Sequence, residues 1–379
     1  MKKVVVLKID DYDTPGLIKK LEANLEKHFA LAALCRPGDK FLIKPNLLMS
    51  ARPEEAVVTH PAFIEAVGTI FKTRGARVSI ADSPGGFASQ KNMDDLYDEV
   101  GIKAFARALG FDLLYPDKSV IRDSLPLCWW ADPQTLGTAS GFKMINVPKL
   151  KTHSIMMLTL AAKNLYGCIS GLHKSNLHRV HPHTLDFASI IMKLYSLIRP
   201  SLNIVDGILA MEGDGPAKNG IVRKLGIVVI GDDALYTDLV IGRLLGLDER
   251  NNPLIKIARS AGLIQERELE VISEVGTRLC SDFRFPSEFI LDRIPGPVIG
   301  LAKRFLKFKP RILGAKCTKC LKCVEVCPQK AIRRDQENLV IDHEKCIMCM
   351  CCAEMCRFGA VDLEQSLLLR IIKKLSREK

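Results

Sequence analysis

The sequence predicts an α/β protein in which a mostly parallel sheet is covered by helices and followed by a small C-terminal α+β domain. Short apolar, β-branched runs alternate with helical periods across residues 1–285, as they do when helices connect parallel strands. The 379 residues are 47% hydrophobic and 26% charged, which excludes wholesale disorder and a multi-span membrane protein. Eight of the 13 cysteines form two evenly spaced runs near the C-terminus, which indicates a separate small domain.

Six apolar runs are predicted as strands of the large domain, which we place at residues 1–285. The runs cover residues 4–9, 41–43, 77–81, 142–147, 202–205 and 225–230. Residues 61–73 are predicted as a helix, because their apolar side chains recur at helical spacing after Pro61. A further helix is predicted over residues 154–167, and residues 113–140 are predicted as a less regular inserted lobe or hairpin.

The positive charge of the chain is concentrated in one stretch. The formal net charge is +12, and residues 299–334 hold 11 Lys and Arg against one acidic residue. Residues 1–298 carry little net charge, so we expect no specific nucleic-acid partner. Residues 286–312 are predicted as a linker with a basic amphipathic helix, and residues 365–379 as a basic tail. The helix either packs the small domain onto the large one or makes peripheral contact with a membrane.

The N-terminal sequence, MKKVVVLKID, predicts a first strand and no signal peptide. Its apolar run has four residues, which is too short for a signal-peptide core. No run in the chain approaches the apolar length of a membrane-spanning helix. We therefore expect a cytoplasmic protein without a transmembrane segment.

Two cysteine runs carry the strongest chemical signal. Cys317 begins the pattern C-x2-C-x2-C-x3-C, and Cys346 begins the same pattern 29 residues later. This is the spacing of bacterial ferredoxins with two [4Fe-4S] clusters, in which the fourth cysteine of each run binds the other run's cluster. Residues 313–364 are therefore predicted as a ferredoxin-like domain. Its predicted ligand sets are Cys317, Cys320, Cys323 and Cys356 for one cluster, and Cys346, Cys349, Cys352 and Cys327 for the other.

A disulfide framework and paired zinc sites are the alternatives to clusters. Disulfides are disfavoured in a chain without a secretion signal, and zinc sites normally take cysteines in pairs. Cys351 falls outside the ligand spacing although it lies beside Cys352, so we predict that it binds no iron. Arg357 stands where the first run has Pro328, which is a local departure from the repeat.

Polar segments follow the predicted strands of the large domain. The carboxyl ends of parallel strands line the ligand crevice of an open sheet, so these segments are expected to converge. Helix caps, turns and surface lysines are the alternative explanation for each residue taken singly. The residues singled out are Lys44, Asn46, Asp82, Lys149, Lys151, His153, Glu212, Asp232 and Asp233.

Two later segments add candidate groups to this crevice. Lys163 lies in the otherwise apolar segment 154–167, where it points either to solvent or into the crevice. Four histidines follow within a short basic stretch, which predicts a mobile, anion-facing lid, with a metal site as the alternative. They are His173, His178, His181 and His183.

Together these motifs resemble the family called domain of unknown function 362, which is often fused to a ferredoxin module. The motifs are KPNLL (44–48), THP (59–61), DSPGG (82–86), NVPKLKTH (146–153), AAKNLYG (161–167) and VDGILAMEGDGP (205–216). The resemblance implies a redox role but no particular substrate. The segment GDDALYTD (231–238) departs from the family pattern, because Ala234 stands where relatives tend to have proline.

These observations predict an iron-sulfur oxidoreductase component of anaerobic metabolism. Electrons are expected to pass between the two [4Fe-4S] clusters and an anionic substrate or second redox centre in the crevice, with a redox partner protein such as a ferredoxin. The predicted anion- or cofactor-binding residues are Lys44, Asn46, Lys149, Lys151 and Lys163. The predicted proton-transfer residues are His153, Asp82 and Glu212. The alternatives are a non-catalytic electron carrier or iron-sulfur sensor, and an isomerase or ligase with structural clusters.

Overall fold

In the predicted large domain, residues 1–285, one sheet lies between two layers of helices. This computed structural model describes residues 1–86, 89–138, 141–286 and 308–365. The strands in chain order are β1 (Lys2–Lys8), β2 (Lys40–Pro45), β3 (Arg77–Ile80), β4 (Asp112–Leu113), β5 (Ser119–Arg122), β6 (Leu125–Cys128), β7 (Phe142–Val147), β8 (Lys149–His153), β9 (Met157–Thr159), β10 (Leu202–Gly213), β11 (Gly220–Gly231), β12 (Leu269–Ser273), β13 (Phe308–Ile312), β14 (Ile332–Asp335), β15 (Asn338–Ile341) and β16 (Val361–Gln365).

The helices alternate with these strands over most of the chain. They are α1 (Thr14–Phe29), α2 (Leu31–Leu34), α3 (Pro61–Lys72), α4 (Gln90–Glu99), α5 (Ile102–Leu109), α6 (Ala161–Asn164), α7 (His173–Val180), α8 (Thr184–Leu197), α9 (Ala234–Leu244), α10 (Pro253–Ser260), α11 (Lys322–Glu325) and α12 (Cys351–Glu354). Short 3-10 helices cover Pro53–Glu55, Trp129–Ala131, Leu165–Cys168, Glu249–Asn251 and Glu266–Glu268. Among these described helices, none has the length and apolar character needed to cross a membrane.

The sheet is mostly parallel, which confirms the predicted fold class. Its strand order is β12-β1-β11-β10-β7-β2-β3-β4, and β8 and β9 continue from β10 off this path. The neighbours β1–β12, β10–β7, β7–β2, β2–β3, β3–β4 and β10–β8 are parallel. β11 runs antiparallel to both of its neighbours, β1 and β10. The carboxyl ends of the central parallel strands therefore share one edge of the sheet.

Both faces of the sheet are apolar because its strands are covered on both sides. In β1, Val4 and Val6 join the core on one face, while Val5 and Leu7 join the core on the other. This alternation follows from the two-residue period of a strand. Helices α1, α3, α4 and α5 contribute to the core that contains Val5, and α6, α8, α9 and α10 contribute to the core that contains Val4.

The prediction of a helix over residues 154–167 is wrong for residues 154–160. The segment after β8 turns at Met157, which has a φ of 65°, and returns as β9 before α6 begins. Residues 149–153, which belong to the polar segment that follows the fourth predicted strand, likewise form a strand, β8, which pairs with β10. Strand pairing competes with helix formation in short apolar runs, and their periodicity does not distinguish the two.

The segment after β11 does not belong to the crevice, contrary to expectation. Because β11 is antiparallel, its carboxyl end lies at the opposite edge of the sheet from the ends of β2 and β7. There Asp232 Oδ1 accepts a hydrogen bond of 3.0 Å from Lys3 N. Asp233 caps α9 by accepting from Leu235 N at 2.9 Å. Both aspartates therefore have structural partners.

The cluster domain, residues 308–365, repeats one short unit twice. β13 pairs with β16 and β14 pairs with β15, both antiparallel. The symmetry extends to single hydrogen bonds, because Cys327 Sγ accepts from Ala331 N and Cys356 Sγ accepts from Ala360 N, each at 3.2 Å. β13 begins within the predicted linker, and the rest of that linker's basic helix and the basic tail fall outside the described residues.

Candidate functional site

The eight predicted ligand cysteines form two groups of four in the cluster domain. One group lines a single cavity and consists of Cys317, Cys320, Cys323 and Cys356. The other consists of Cys346, Cys349, Cys352 and Cys327; burial raises the pKa of Cys352 well above its ordinary value, and Cys349, Cys346, Cys323 and Cys327 raise it further. The first group takes three cysteines from one run and the fourth, Cys356, from the other, as the crossed ferredoxin arrangement requires.

The donor set of eight cysteines in two C-x2-C-x2-C-x3-C runs fits iron-sulfur clusters. Within the described residues, no three Cys, His, Asp or Glu side chains form a group that could hold a metal ion. Burial and the nearby thiols, Cys320 first, raise the pKa of Cys323 to about 11. Four such thiols ionise together only when a positive metal centre compensates their charge.

A second cavity lies between the cluster domain and the carboxyl ends of the parallel strands. We call it the interdomain cavity, and its volume is about 80 Å³. Gly85 and Gly86 form part of its wall, and a side chain at Gly85 would collide with Met355 of the cluster domain. Its lining includes Asn46, Asp82, Thr159, Lys163 and His178 from the large domain, and Cys351 and Glu354 from the cluster domain.

Lys163 presents an unpaired ammonium group to the interdomain cavity. In the part of the chain that the structure describes, no carboxylate oxygen lies within 4.0 Å of its Nζ and it makes no hydrogen bond. The ring centroid of Tyr166 lies 5.8 Å from Nζ. Burial lowers the pKa of Lys163, and the carboxylate of Glu354 opposes that shift. Of the two orientations left open by the sequence, the structure has the one that points into the site.

Asp238 holds the short helix that carries Lys163. Its carboxylate accepts from Ala161 N at 2.7 Å and from Ala162 N at 3.1 Å, at the first turn of α6. Burial raises the pKa of Asp238 to about 8, although the two hydrogen bonds act in the opposite direction. Asp238 is therefore a positioning residue for the cavity wall.

His153 and Glu354 bring the two domains into contact. His153 Nδ1 accepts from the backbone N–H groups of Ile155 and Met156, so the neutral ring carries its proton on Nε2. Nε2 lies 3.0 Å from Glu354 Oε1, although the two atoms are not aligned for a hydrogen bond. Burial and then Lys163 lower the pKa of His153 to about 4. Burial acts to raise the pKa of Glu354, but His153 and Lys163 outweigh it and lower that pKa to about 2.

Lys44 forms a closed ion pair with Asp82, one of the residues that line the interdomain cavity. Lys44 Nζ lies 2.8 Å from Asp82 Oδ1, and both side chains are buried. Asp82 Oδ2 also accepts from Leu47 N at 2.7 Å. Gly167 packs against the pair so closely that no Cβ would fit there. The partners of both charges therefore lie within the protein.

Lys149 and Glu212 lie outside the interdomain cavity, which corrects the expectation that they converge with the other candidates. Lys149 Nζ is 2.8 Å from Asp206 Oδ2 and 2.9 Å from the hydroxyl of Tyr12, in a separate buried cluster. Glu212 lies 3.4 Å from Arg223 Nη1, because β10 continues to Gly213 and carries Glu212 along the sheet. The sequence did not reveal that this strand is twelve residues long.

Lys151 is buried beneath the same edge but does not line the interdomain cavity. Its Nζ donates to Val57 O at 2.5 Å. Burial, with a smaller contribution from Lys163, lowers the pKa of Lys151 to about 7. Asn46, by contrast, does line the interdomain cavity.

Two wall residues on α7, Lys174 and His178, were not singled out as a pair by the sequence. Lys174 Nζ donates to Ser83 Oγ at 2.7 Å, and burial lowers the pKa of Lys174 to about 8. His178 stacks on Phe187 with ring centroids 4.1 Å apart, and burial lowers its pKa to about 4. Their i, i+4 spacing, which places them on one helix face, is the signal that could have identified them.

Comparisons with known proteins match both domains. The family model described as a domain of unknown function (DUF362) matches residues 41–243, and a 4Fe-4S dicluster domain matches residues 309–357. The thylakoid-associated protein sll1697 of Synechocystis sp. (strain ATCC 27184 / PCC 6803 / Kazusa) is 29% identical over 270 residues, covering 69% of this chain and 80% of the relative. No solved structure matches the chain. The C-terminal match supports iron-sulfur cluster binding, and the interdomain cavity takes residues from both matched segments.

Proposed function

Because the chain belongs to the family described as domain of unknown function (DUF362), here joined to a 4Fe-4S dicluster domain, we propose that it is an oxidoreductase component that passes electrons between two [4Fe-4S] clusters and a small anion in the interdomain cavity. Each cluster, when held by its four cysteines, exchanges one electron at a time. The observation that carries the proposal is the cavity wall itself, where the unpaired Lys163 of the large domain faces Cys351 and Glu354 of the cluster domain.

The second cysteine group lies beside this cavity. Burial raises the pKa of Tyr166, which lines the cavity, and Cys351, Glu354 and Cys349 raise it further. Cys349 belongs to the second group of cysteines and Cys351 lies between two members of it. An anion bound at Lys163 is therefore close to the proposed second cluster, as direct electron transfer requires.

Three side chains supply the chemistry around the anion. The ammonium of Lys163 binds it by charge-assisted hydrogen bonds. His178 is a neutral imidazole at neutral pH because burial lowers its pKa to about 4, and in the described residues its ring nitrogens make no hydrogen bond. Reduction of the anion takes up a proton as well as electrons, and the neutral imidazole of His178 can relay a proton from solvent by accepting it at one ring nitrogen and releasing the proton of the other. Glu354 stays ionised and accepts hydrogen bonds from the ligand.

A redox partner protein is proposed to dock over the first cysteine group. Cys320 is exposed, and the neighbouring Leu321 and Phe358 are 49% and 40% exposed. Lys319 and Lys322 line the same cavity, where they pair with Glu337 at 2.9 Å and with Glu325 at 3.1 Å, so the patch carries no excess positive charge from them. An exposed apolar patch is typical of a protein-binding surface, so we propose an electron-carrier protein as the partner.

A cytoplasmic location is part of the proposal, with peripheral membrane contact as its alternative. The relative from Synechocystis is named as thylakoid-associated, and residues 299–309 of this chain hold four basic side chains and no acidic one. Flotation of the purified protein with anionic lipid vesicles separates the two: recovery in the vesicle fraction at physiological salt favours membrane contact.

The electron-transfer proposal is tested by replacing the unpaired lysine. The small-molecule fraction of the source cells is mixed anaerobically with chemically reduced protein, and cluster reoxidation is followed in the visible spectrum. We expect Lys163→Met to slow reoxidation by about tenfold to a thousandfold, because one charge-assisted contact is lost. The matched control is Lys256→Met, which removes the same charge from an exposed position on α10 and should behave as wild type.

Equal reoxidation rates in Lys163→Met and wild type would contradict the proposal. Binding of a small molecule without any reoxidation would favour the sensor alternative instead. Iron content and unfolding are measured for each variant, so that loss of cluster or fold is not mistaken for loss of the site.

A further inference from the structure

A directional chain of asparagine amides ends at the interdomain cavity. It starts at the carbonyl of Gly231, which can only accept and takes a hydrogen bond of 3.3 Å from Asn203 Nδ2. Asn203 Oδ1 accepts from Asn146 Nδ2 at 2.8 Å, and Asn146 Oδ1 accepts from Asn164 Nδ2 at 2.8 Å. Asn164 Oδ1 then accepts from Asn46 Nδ2 at 3.0 Å. The first acceptor sets the orientation of every amide, so Asn46 keeps its oxygen for the cavity.

Three acceptor atoms of the cavity wall make no hydrogen bond. They are Oδ1 of Asn46, Oγ1 of Thr159 and Oε1 of Glu354, and the last of these lies 3.0 Å from His153 Nε2 without being aligned with it. Among the described residues, six buried side-chain nitrogen or oxygen atoms make no hydrogen bond, and three of the six belong to residues that line this one cavity. Thr159 is 3% exposed, which leaves bulk solvent no access to satisfy it. Buried polar groups in folded proteins are normally paired, so this concentration indicates a ligand that supplies donors.

We infer that the interdomain cavity binds a small carboxylate that also carries a hydroxyl or amino group. The inference rests on the proposed function, since it names the chemical class of the anion in the same cavity. The carboxylate contacts the ammonium of Lys163. A hydroxyl on the ligand donates its one hydrogen to Asn46 Oδ1, whereas a protonated amino group has enough N–H donors for both Asn46 Oδ1 and Glu354 Oε1. The ammonium and the carboxylate of the wall are more than 4.0 Å apart, so one ligand with separated groups can contact both.

The volume of the cavity limits the size of this ligand. A water-sized group needs about 10–15 Å³ of such space. The 80 Å³ of this cavity therefore admits about five to eight non-hydrogen atoms. A three-carbon acid with one substituent fits within it, whereas a nucleotide or a polyanion would extend beyond it.

Three acids that differ only at the terminal carbon test the inference: propionate, 3-hydroxypropionate and β-alanine. They are titrated calorimetrically into the anaerobic holoprotein with oxidised clusters and no electron donor. We expect 3-hydroxypropionate and β-alanine to bind at least tenfold more tightly than propionate, because only they supply donors to the unpaired acceptors. Inorganic phosphate is the fourth probe and should bind more weakly than either.

Variants separate the two ends of the ligand. Lys163→Met should weaken binding of all three acids at least tenfold, while Glu354→Gln should reduce the preference for β-alanine over propionate to less than threefold. Asn46→Leu should reduce the preference for 3-hydroxypropionate in the same way. Lys256→Met serves as the control and should leave every affinity unchanged.

The inference is overturned if propionate binds as tightly as the substituted acids, if none of the three binds, or if phosphate binds most tightly. These outcomes are distinct from failure of the proposed function, because the titrations involve no electron transfer. Donor-dependent binding without any reoxidation of reduced clusters would leave the ligand class standing and remove the electron-transfer role. Reoxidation that depends on Lys163, together with equal binding of propionate and the substituted acids, would leave the electron-transfer role standing and remove the ligand class.

Discussion

The interior of the large sheet and the interdomain cavity use the same residue types in opposite ways. In the interior, Lys44 pairs with Asp82 and Lys149 pairs with Asp206, each at 2.8 Å. At the cavity, Lys163 influences the pKa of Glu354 without forming an ion pair. A paired buried charge belongs to the fold, whereas an open one is available to a ligand. The presence of a partner, rather than residue type or position after a strand, distinguishes the two kinds of lysine.

The largest expected effect is on the iron content of the protein. It compares a cysteine predicted to bind iron, Cys320, with one predicted to bind none, Cys351. Anaerobically purified protein should contain about eight irons per chain, as two [4Fe-4S] clusters require. Cys320→Ser should lose about half of this iron, while Cys351→Ser should retain it, because Cys351 belongs to the cavity wall. Iron analysis with spectra of the reduced clusters measures both. Stoichiometric zinc, or equal losses in the two variants, would contradict the assignment.

The next largest effect is on stability, and it follows from breaking the buried ion pair between Lys149 and Asp206. Asp206→Ala should lower the free energy of unfolding by about 3–5 kcal/mol, because it leaves the buried ammonium of Lys149 without its counter-charge. Anaerobic chemical denaturation measures this loss. The double variant Lys149→Met/Asp206→Leu should recover much of it, since no buried charge is left unpaired. A double variant no more stable than Asp206→Ala would show that the hydrogen bonds of the cluster matter more than its charges.

A smaller effect should appear as a pH dependence at Lys151. Burial lowers its pKa to about 7 in the folded protein, below the value of about 10.4 for an unfolded chain. Between about pH 7 and pH 10 the unfolded state therefore binds a proton that the folded state has released, so stability rises with pH. The difference in unfolding free energy between wild type and Lys151→Met should move in favour of wild type across this range. A difference independent of pH would mean that Lys151 stays protonated against Val57 O.

The smallest expected effect is the change in stability of Lys163→Met. Its ammonium makes no ion pair or hydrogen bond in the described residues, so its removal should change the free energy of unfolding by less than about 1 kcal/mol. Denaturation curves of the ligand-free protein test this against Asp206→Ala. A loss comparable to that of Asp206→Ala would place Lys163 among the structural lysines and remove the contrast between the two regions.

Local sequence patterns predicted much of this molecule. The strand at residues 142–147 has the predicted bounds, and the four cysteines predicted for one cluster, Cys317, Cys320, Cys323 and Cys356, line one cavity. Both depend on short-range rules, namely strand periodicity and ligand spacing within a tight loop. The same rules wrongly predicted a helix over residues 154–167. There β9 pairs with β8 in a hairpin that the local sequence pattern does not indicate.

The amino-acid sequence was therefore enough to predict the fold class, the cluster domain and a set of polar residues that are candidates for a binding site at one edge of the sheet. Which candidates are open was decided by folding, because their partners are distant in sequence: Asp82 lies 38 residues from Lys44, and Asp206 lies 57 from Lys149. Glu354 reaches the cavity from the other domain. A buried charge is paired only if a side chain of opposite charge from another strand or domain lies next to it in the folded protein. The spacing of residues along the chain does not specify these contacts.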